Sequence, residues 1–595
     1  MPETIAAILR RRAEQTPDAL AFRFHDRGDA QTVDWTYGAA HAAASVLARE
    51  LASRVKPGDR VILSLEPGLH FLAALFAIFQ VGATAVPSFP PQGSRATARF
   101  ASIHRSCAPR LVIAEPSVRQ LVPRIEKMLG SAPSQAGWMF LDSRDYAVFA
   151  AGAQRDWTGR AAPEGMPALL QYTSGSTGAP KGVVLTHANL LSNSECLEQV
   201  MAPLAPHLGF SWLPPYHDMG LMGALLLSVY SGFTLHMMSP GHFIQRPLRW
   251  LQAISEFDIT TTVGPNFALE HCVDGISDEE VAALDLRQLK LLFCGAEPVR
   301  AATLDRFAAK FAPCGFNRRA FLPCYGMAEA TLFVSGTASM RVPATELQCD
   351  AQSFASGQLV PAASTAQPAT RVVSCGKPAV GHDVAIVDPA TCTRLPECRI
   401  GEIWVHGPNV AQGYHENAEA TAAAFAGEIV DELPRRSYLR TGDLGALVDG
   451  ELYVTGRIKE VINFHGRNLY PQDIETSVLA LHPGFRANGI AAFAVEEQGI
   501  ERLVLVAELS RSTRLAQAEL AALSRAIMEV VTSGHGVAPH AALLVLPATI
   551  PLTTSGKIQR TACREHYLRG DFHRRVVQPA APRENIAASE SEVAA

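Results

Sequence analysis

Over residues 1–170, short apolar runs alternate with longer helical patterns, and this alternation constrains the fold more than any other feature of the chain. Residues 36–53 are Ala-rich and helical in pattern, with Asp34 or Thr36 placed to cap them. Pro57-Gly58 marks a turn, residues 61–65 read as a strand, Pro67-Gly68 opens the next helix, and residues 83–86 read as another strand. Strands separated by helices pack as parallel sheets covered on both faces. The pattern runs to about residue 335 and predicts an α/β protein with a large N-terminal domain of doubly wound sheets. Residues 335–370, rich in Ser, Ala, Gln, Pro and Thr, read as a long insertion packed by Val342, Leu347, Phe354, Leu359 and Val360. Short strands at 402–406 and 452–454 predict a β-rich subdomain. A new unit begins at residue 457: a helix near 472–481, strands at 490–495 and 502–508, a helix at 517–532 and a strand near 542–546. The predicted domains are therefore 1–456, with its insertion at 335–370, and a small mobile α+β domain at 457–570. Residues 571–595 read as a flexible tail.

Composition narrows the function classes. Of 595 residues, 48% are hydrophobic and 18% charged, which excludes a mostly disordered chain. A net charge of −5 argues against a general nucleic-acid binder. Eleven cysteines without a CxxC pair read as reduced thiols of a cytoplasmic protein, not as a disulfide frame or zinc site. Arg10, Arg11 and Arg12 follow too short an apolar run for a signal peptide. The charge-free stretches 71–94 and 221–238 are broken by Gly, Pro and polar residues, so they read as buried helix–turn–strand units and not as membrane spans.

The strongest local signal is the segment from Thr173 to Gly182, which follows a strand-like run at 169–172. Gly175, Gly178 and Gly182 let backbone amides approach an anion. Thr173, Ser174, Ser176 and Thr177 add hydroxyls, and Lys181 adds positive charge. Pro180 stands where a Walker loop would need glycine.

This segment, QYTSGSTGAPKGVVLTH, resembles the phosphate loop of the adenylate-forming superfamily of acyl-CoA synthetases, luciferases and nonribosomal peptide adenylation domains. LPPYHDMGL, FCGAEPV, CYGMAEAT, LRTGDLG, GRIKEVI and PLTTSGKIQR follow in the expected order, and the resemblance covers about residues 5–565. Within that superfamily the chain is most similar to the fatty acyl-AMP ligases. LPPYHDMGL, YGMAEATL, VSCGKP and GRNLYPQDIE carry this likeness, as does the insertion between Glu329 and Gly376. The resemblance implies ATP- and Mg²⁺-dependent activation of a fatty acid as acyl-AMP. The acyl group then passes to the phosphopantetheine thiol of a holo acyl carrier protein. No carrier domain follows residue 570, so that partner is expected in trans. A long-chain acyl-CoA synthetase is the first competing expectation, and a catalytically silent adenylate-binding protein the second.

The roles of individual residues follow from the same resemblance. A carboxylate must attack the α-phosphate of ATP, so two anions must be brought together by positioning and charge neutralisation. Lys557 is expected to bridge the carboxylate and the α-phosphate. Glu329, with the Thr173 hydroxyl, is expected to hold Mg²⁺, a hard ion that takes oxygen ligands. Asp443 is assigned to the ribose hydroxyls and Arg457 to the ribose or its neighbouring phosphate. Gly295, Ala296 and Glu297 are expected to form one wall of the adenine slot, with Tyr325, Gly326 and Met327 beside the base. His217 is expected near the acyl carboxylate, and residues 219–230 along the acyl chain. Lys459, at the 457–460 junction, is the expected hinge of the C-terminal lid.

Overall fold

A computed structural model describes residues 3–26, 31–130, 136–142, 165–173, 180–337, 344–362, 369–464, 467–497, 500–511, 513–553 and 557–579. The chain divides into two compact units. The first comprises residues 1–348, 371–441 and 445–454, and the second residues 349–370, 442–444 and 455–595.

Unit 1 is built on two sheets. Among the described residues, the larger has eight strands. Its order is Phe333–Gly336, Phe321–Gly326, Leu291–Cys294, Thr261–Val263, Gly209–Ser211, Leu235–Met238, Leu20–Asp26 and Gln31–Thr36. The six inner strands pair in parallel, and each edge strand is antiparallel to its neighbour. A six-stranded sheet runs Gly137–Phe140, Leu111–Ala114, Arg60–Ser64, Thr84–Pro87, Pro167–Thr173 and Lys181–Thr186. It is parallel except for its last pair. The doubly wound reading therefore holds. Thr36 caps the helix Tyr37–Leu51, its hydroxyl accepting from the Ala39 amide at 3.2 Å.

The helix Leu69–Gln80 is buried at every position. A helix apolar all round belongs in a core, which explains the charge-free stretch in the sequence. Among the described residues, no helix is long and apolar enough to cross a membrane. The second charge-free stretch forms the helical turns Asp218–Gly220, Leu221–Leu226 and Leu227–Ser231 and the strand Leu235–Met238. Leu221–Leu226 is a widened π-type turn. The strands Leu20–Asp26 and Gln31–Thr36 were absent from the sequence reading. Arg23 and Asp34 interrupt their apolar pattern, yet the two face each other in register and form a bidentate ion pair at 2.7 and 2.6 Å. In the β-rich part, Asp383–Val387 pairs antiparallel with Gly401–His406.

Unit 2 is α+β. Its sheet orders Phe485–Glu497, Ile500–Leu509, Ala541–Val545 and Val576–Pro579, with the helices Pro471–Leu479, Gln517–His535 and Arg560–Leu568. The last strand corrects the reading of residue 571 as the start of a flexible tail. Asp571–Arg574 makes a 3₁₀ turn, and Val576–Pro579 pairs antiparallel with Ala541–Val545 because two consecutive valines supply a strand. Residues 580–595 lie outside the described residues. The insertion is more regular than its composition suggests. Asp350 caps a short helix, Ala351–Ala355, its carboxylate accepting from the Ser353 amide at 2.7 Å. Phe354 and Leu359 are buried and Val360 is exposed, whereas Val342 lies outside the described residues. The Phe354 ring lies 4.9 Å from that of Tyr470.

Candidate functional site

The parallel strands of the large sheet decide where unit 1 places its motif residues. Gly209–Ser211 leads towards His217, Leu291–Cys294 into Gly295, Ala296 and Glu297, and Phe321–Gly326 into Met327 and Glu329. Parallel pairing brings these exits to one edge, the carboxyl edge at which open α/β sheets bind ligands.

Each exit is shaped locally. A Cβ on Gly295 would meet the Cys324 carbonyl oxygen at 3.0 Å, so the two strand ends pack here with little room for a side chain. Ala296 adopts a left-handed φ of 68°. The Glu297 carboxylate accepts from the Phe267 amide at 2.8 Å, at the start of the helix Asn266–Gly275. It therefore stabilises a helix N-terminus. Tyr325 is buried. A Cβ on Gly326 would meet the Leu332 carbonyl oxygen at 1.7 Å, a position only glycine can occupy. The Met327 amide donates to that same oxygen at 2.8 Å. The pinched turn Ala328–Ala330 so formed presents Glu329. Thr331 then takes a left-handed φ of 59°, its buried hydroxyl donating to the Asn409 carbonyl at 2.6 Å.

The Glu329 carboxylate accepts from the Tyr414 hydroxyl at 2.8 Å, and its main-chain oxygen accepts from the Ala411 amide at 2.9 Å. Lys181, in register with Thr173, places its ammonium 4.8 Å from the centre of the same Tyr414 ring. Ser174, Gly175, Ser176, Thr177 and Gly178 lie outside the described residues. Tyr414 was absent from the sequence reading. Its partners stand far away in the chain, and its only sequence signal is the Gly413-Tyr414 pair.

His217 is held by its neighbour, with Nδ1 at 2.7 Å from the Asp218 carboxylate, which also accepts from the Met219 amide at 2.7 Å. Pro215 and Gly220, on either side of this pair, border a small cavity of about 20 Å³ lined also by Phe24, Leu213, Leu225 and Met237. Ala224 lines it too, but Leu221, Met222 and Val229 are core. The run 219–230 is thus shared between cavity wall and core.

Unit 2 carries the remaining motif residues. Asp443 is buried and pairs with Arg457, whose Nε lies 2.8 Å away. Lys459 is exposed on the short turn Ile458–Glu460. Lys557 is tied to Thr553: its amide donates to the Thr553 hydroxyl at 3.0 Å, and its carbonyl accepts from the Thr553 amide at 2.8 Å.

Motif residues gathered at the carboxyl edge of a doubly wound sheet, with a hydroxyl- and glycine-rich sequence ahead of Lys181, suit an α/β enzyme that binds a nucleotide. The AMP-binding enzyme family model matches residues 9–415, and the chain belongs to that family. Residues 459–575 match the model described as Disco-interacting protein 2-like, AMP domain. The chain is 37% identical to the medium-chain-fatty-acid–acyl-carrier-protein ligase JamA of Moorena producens (strain JHB), over 95% of each chain. It is 34% identical to the long-chain-fatty-acid–AMP ligase FadD26 of Mycobacterium marinum, over 96% of this chain and 99% of that one. Its structure is similar to that of a fatty acid AMP ligase from Legionella pneumophila, with a TM-score of 0.72, 34% identity and 98% of each chain covered.

Proposed function

We propose that this protein is a fatty acyl-AMP ligase that activates a fatty acid with ATP and passes the acyl group to a holo acyl carrier protein. The observation that carries this reading is the likeness, over 95% of the chain, to a medium-chain-fatty-acid–acyl-carrier-protein ligase, supported by the strand-edge turn that presents Glu329. One oxygen of the fatty-acid carboxylate forms a bond to the α-phosphorus of ATP. The bond from that phosphorus to the bridging oxygen breaks, and pyrophosphate leaves. The carrier thiol, losing its proton, then attacks the acyl carbonyl and AMP departs. Lys181 and the loop ahead of it hold phosphates, and Lys557 neutralises charge as the carboxylate and α-phosphate meet. Gly295, Ala296 and Tyr325 frame the base, and Asp443 with Arg457 takes the ribose.

The residues present suit Mg²⁺. Glu329 and Thr173 offer hard oxygen donors. When bound, the ion withdraws charge from the phosphates. Residues 1–456 act as the adenylation domain and 457–570 as a lid turning at Lys459. The insertion restrains that lid against use of free CoA. The free cysteines support a cytoplasmic protein.

The test incubates the protein with ATP, Mg²⁺ and a series of fatty acids, adding CoA or a holo carrier protein and resolving products by mass. The series includes aryl-alkanoates, because a relative 36% identical is named a 4-hydroxyphenylalkanoate adenylyltransferase. Acyl-AMP and acyl-carrier protein are the expected products. Efficient acyl-CoA formation would replace this reading by an acyl-CoA synthetase, and absence of acyl-AMP from every acid would end it.

A further inference from the structure

We infer that Tyr414 is a positioning residue that ties the cation following the phosphate loop to the carboxylate of the proposed metal site. The inference rests on the nucleotide-site assignments made above.

The backbone at 409–415 runs as a strap between two functional segments and is hydrogen-bonded to both. On one side it follows the strand Lys181–Thr186. The Val184 amide donates to the Gly413 carbonyl at 2.9 Å, the Gln412 amide to the Val184 carbonyl at 3.1 Å, and the His415 amide to the Gly182 carbonyl at 2.7 Å. On the other side it holds the Glu329 turn through the Ala411 amide. The Asn409 side-chain amide also donates to the Phe333 carbonyl at 2.7 Å. The Tyr414 amide donates to the Thr421 hydroxyl at 2.9 Å, and the ring packs edge-on against Phe425 at 5.3 Å. The ring is therefore fixed from its backbone and from one edge.

Both of its remaining chemical features point at the site. The hydroxyl donates to the Glu329 carboxylate, and the face seats the Lys181 ammonium. A tyrosine kept only for packing needs neither partner. One rigid ring touching both groups sets the separation between the lysine and the carboxylate. The hydroxyl also fixes which Glu329 oxygen is turned away from an incoming ion. A hydrogen bond to a charged group is strong enough for its loss to be read as about tenfold in affinity.

The experiment measures ATP binding to the intact protein by calorimetry, with and without Mg²⁺ and without fatty acid. It compares wild type, Tyr414→Phe, Tyr414→Leu, Glu329→Gln and the Tyr414→Phe/Glu329→Gln double variant. Tyr414→Phe keeps the ring and removes one hydroxyl. It should lose about tenfold of the Mg²⁺-dependent gain in ATP affinity, keep Mg²⁺-free affinity, and melt within a few degrees of wild type. Tyr414→Leu should weaken Mg²⁺-free ATP binding as well, because Lys181 loses its seat. In the Glu329→Gln background, Tyr414→Phe should add little, since both changes break one interaction.

An unchanged Mg²⁺-dependent gain in Tyr414→Phe would overturn the proposal. So would a loss fully additive with that of Glu329→Gln, or a wild-type protein whose ATP affinity does not respond to Mg²⁺. If Tyr414→Leu does not fold, the phenylalanine variant still decides. A wild type that binds ATP with Mg²⁺ but activates no fatty acid would sink the substrate assignment and leave the Tyr414 result standing.

Discussion

The two units secure their functional segments by different chemistry. In unit 1 the Glu329 turn is held by neutral groups: main-chain amides, the Tyr414 hydroxyl, and the carboxamides of Asn409 and Asn193. Both asparagines are fully buried and grip Phe333 from its carbonyl and its amide, at 2.7 and 2.9 Å. In unit 2 the approach to Lys557 is held by buried charge. Glu508 is fully buried and accepts from the amides of Ala548, Thr549 and Ile550 at 3.0, 3.0 and 2.8 Å, and from Arg486 at 2.8 Å. Beyond Lys557, Arg560 donates to Glu475 at 2.8 and 2.7 Å and to Glu460 at 2.6 Å. Burial alone would lower the Arg560 pKa, but the charge and hydrogen bond of Glu475, with those of Glu460, hold it raised. Glu460 stands next to Lys459, so one guanidinium joins the Lys557 segment to the proposed hinge turn. A buried ion pair adds little net stability but is costly to break from one side. A neutral tie costs less to lose. Unit 2 should therefore be the more brittle of the two.

Lys557→Ala should have the largest effect, because it removes the cation expected where charge develops. Acyl-AMP formation should fall by about two to three orders of magnitude, with ATP binding largely kept. Pyrophosphate release near the wild-type rate would remove Lys557 from the chemistry. Arg560→Met comes next. It leaves Glu475 and Glu460 without their shared cation and should destabilise unit 2 by about 3–5 kcal/mol, read as an early melting transition or as new protease cuts after residue 457. Asn409→Ala is the matched experiment in unit 1. It orphans the Phe333 carbonyl and the His382 ring nitrogen, which lies 2.6 Å from the Asn409 oxygen, and should cost about 1–3 kcal/mol. If Asn409→Ala proves as damaging as Arg560→Met, the contrast between charged and neutral holding fails.

Much of this molecule was legible in the sequence, for reasons that can be stated. Gly326 marks a strand end that closes on a neighbouring backbone, so a motif and a steric necessity coincide there, and Gly295 marks a second strand end that is tightly packed. Lys557, Asp443 and Glu329 stand in short segments whose order along the chain is itself informative. What escaped notice depends on contacts between distant positions. Tyr414 gains meaning only when Glu329 and Lys181 are folded onto it. Arg560 shows its role only beside Glu460 and Glu475. The helix Ala351–Ala355 is too short for periodicity to register and is stabilised by its Asp350 cap and by Phe354 packing on Tyr470. Arg23 and Asp34 hid a strand pair because two exposed charges look like a break in the apolar pattern until they are seen paired.

The smallest effect, and the sharpest test of neutral holding, lies in the large sheet of unit 1. His25 and His236 are buried with Nε2 of one 3.1 Å from Nδ1 of the other, so one ring donates and the other accepts. Phe210 and Phe257 surround them, at 5.6 and 5.2 Å from His25, and the charges facing them are Arg23 and Asp34. Burial, reinforced by Arg23, lowers the His25 pKa to about 4 against the opposing pull of Asp34. Burial, then His25 and Arg23, lowers that of His236 to about 3. The pair titrates as a unit and is neutral at pH 7. In the unfolded chain both rings take up protons below about pH 6.5. The folded protein therefore binds fewer protons than the unfolded chain between about pH 6.5 and 3. Stability is complete above that window, declines as pH falls through it, and levels off once the folded pair also protonates. His236→Gln keeps a donor and an acceptor but cannot titrate. At pH 7 its melting temperature should differ little from wild type, and between pH 6.5 and 4 its decline should be visibly shallower. Parallel curves for the two proteins across that range would show that the acid sensitivity of unit 1 lies elsewhere.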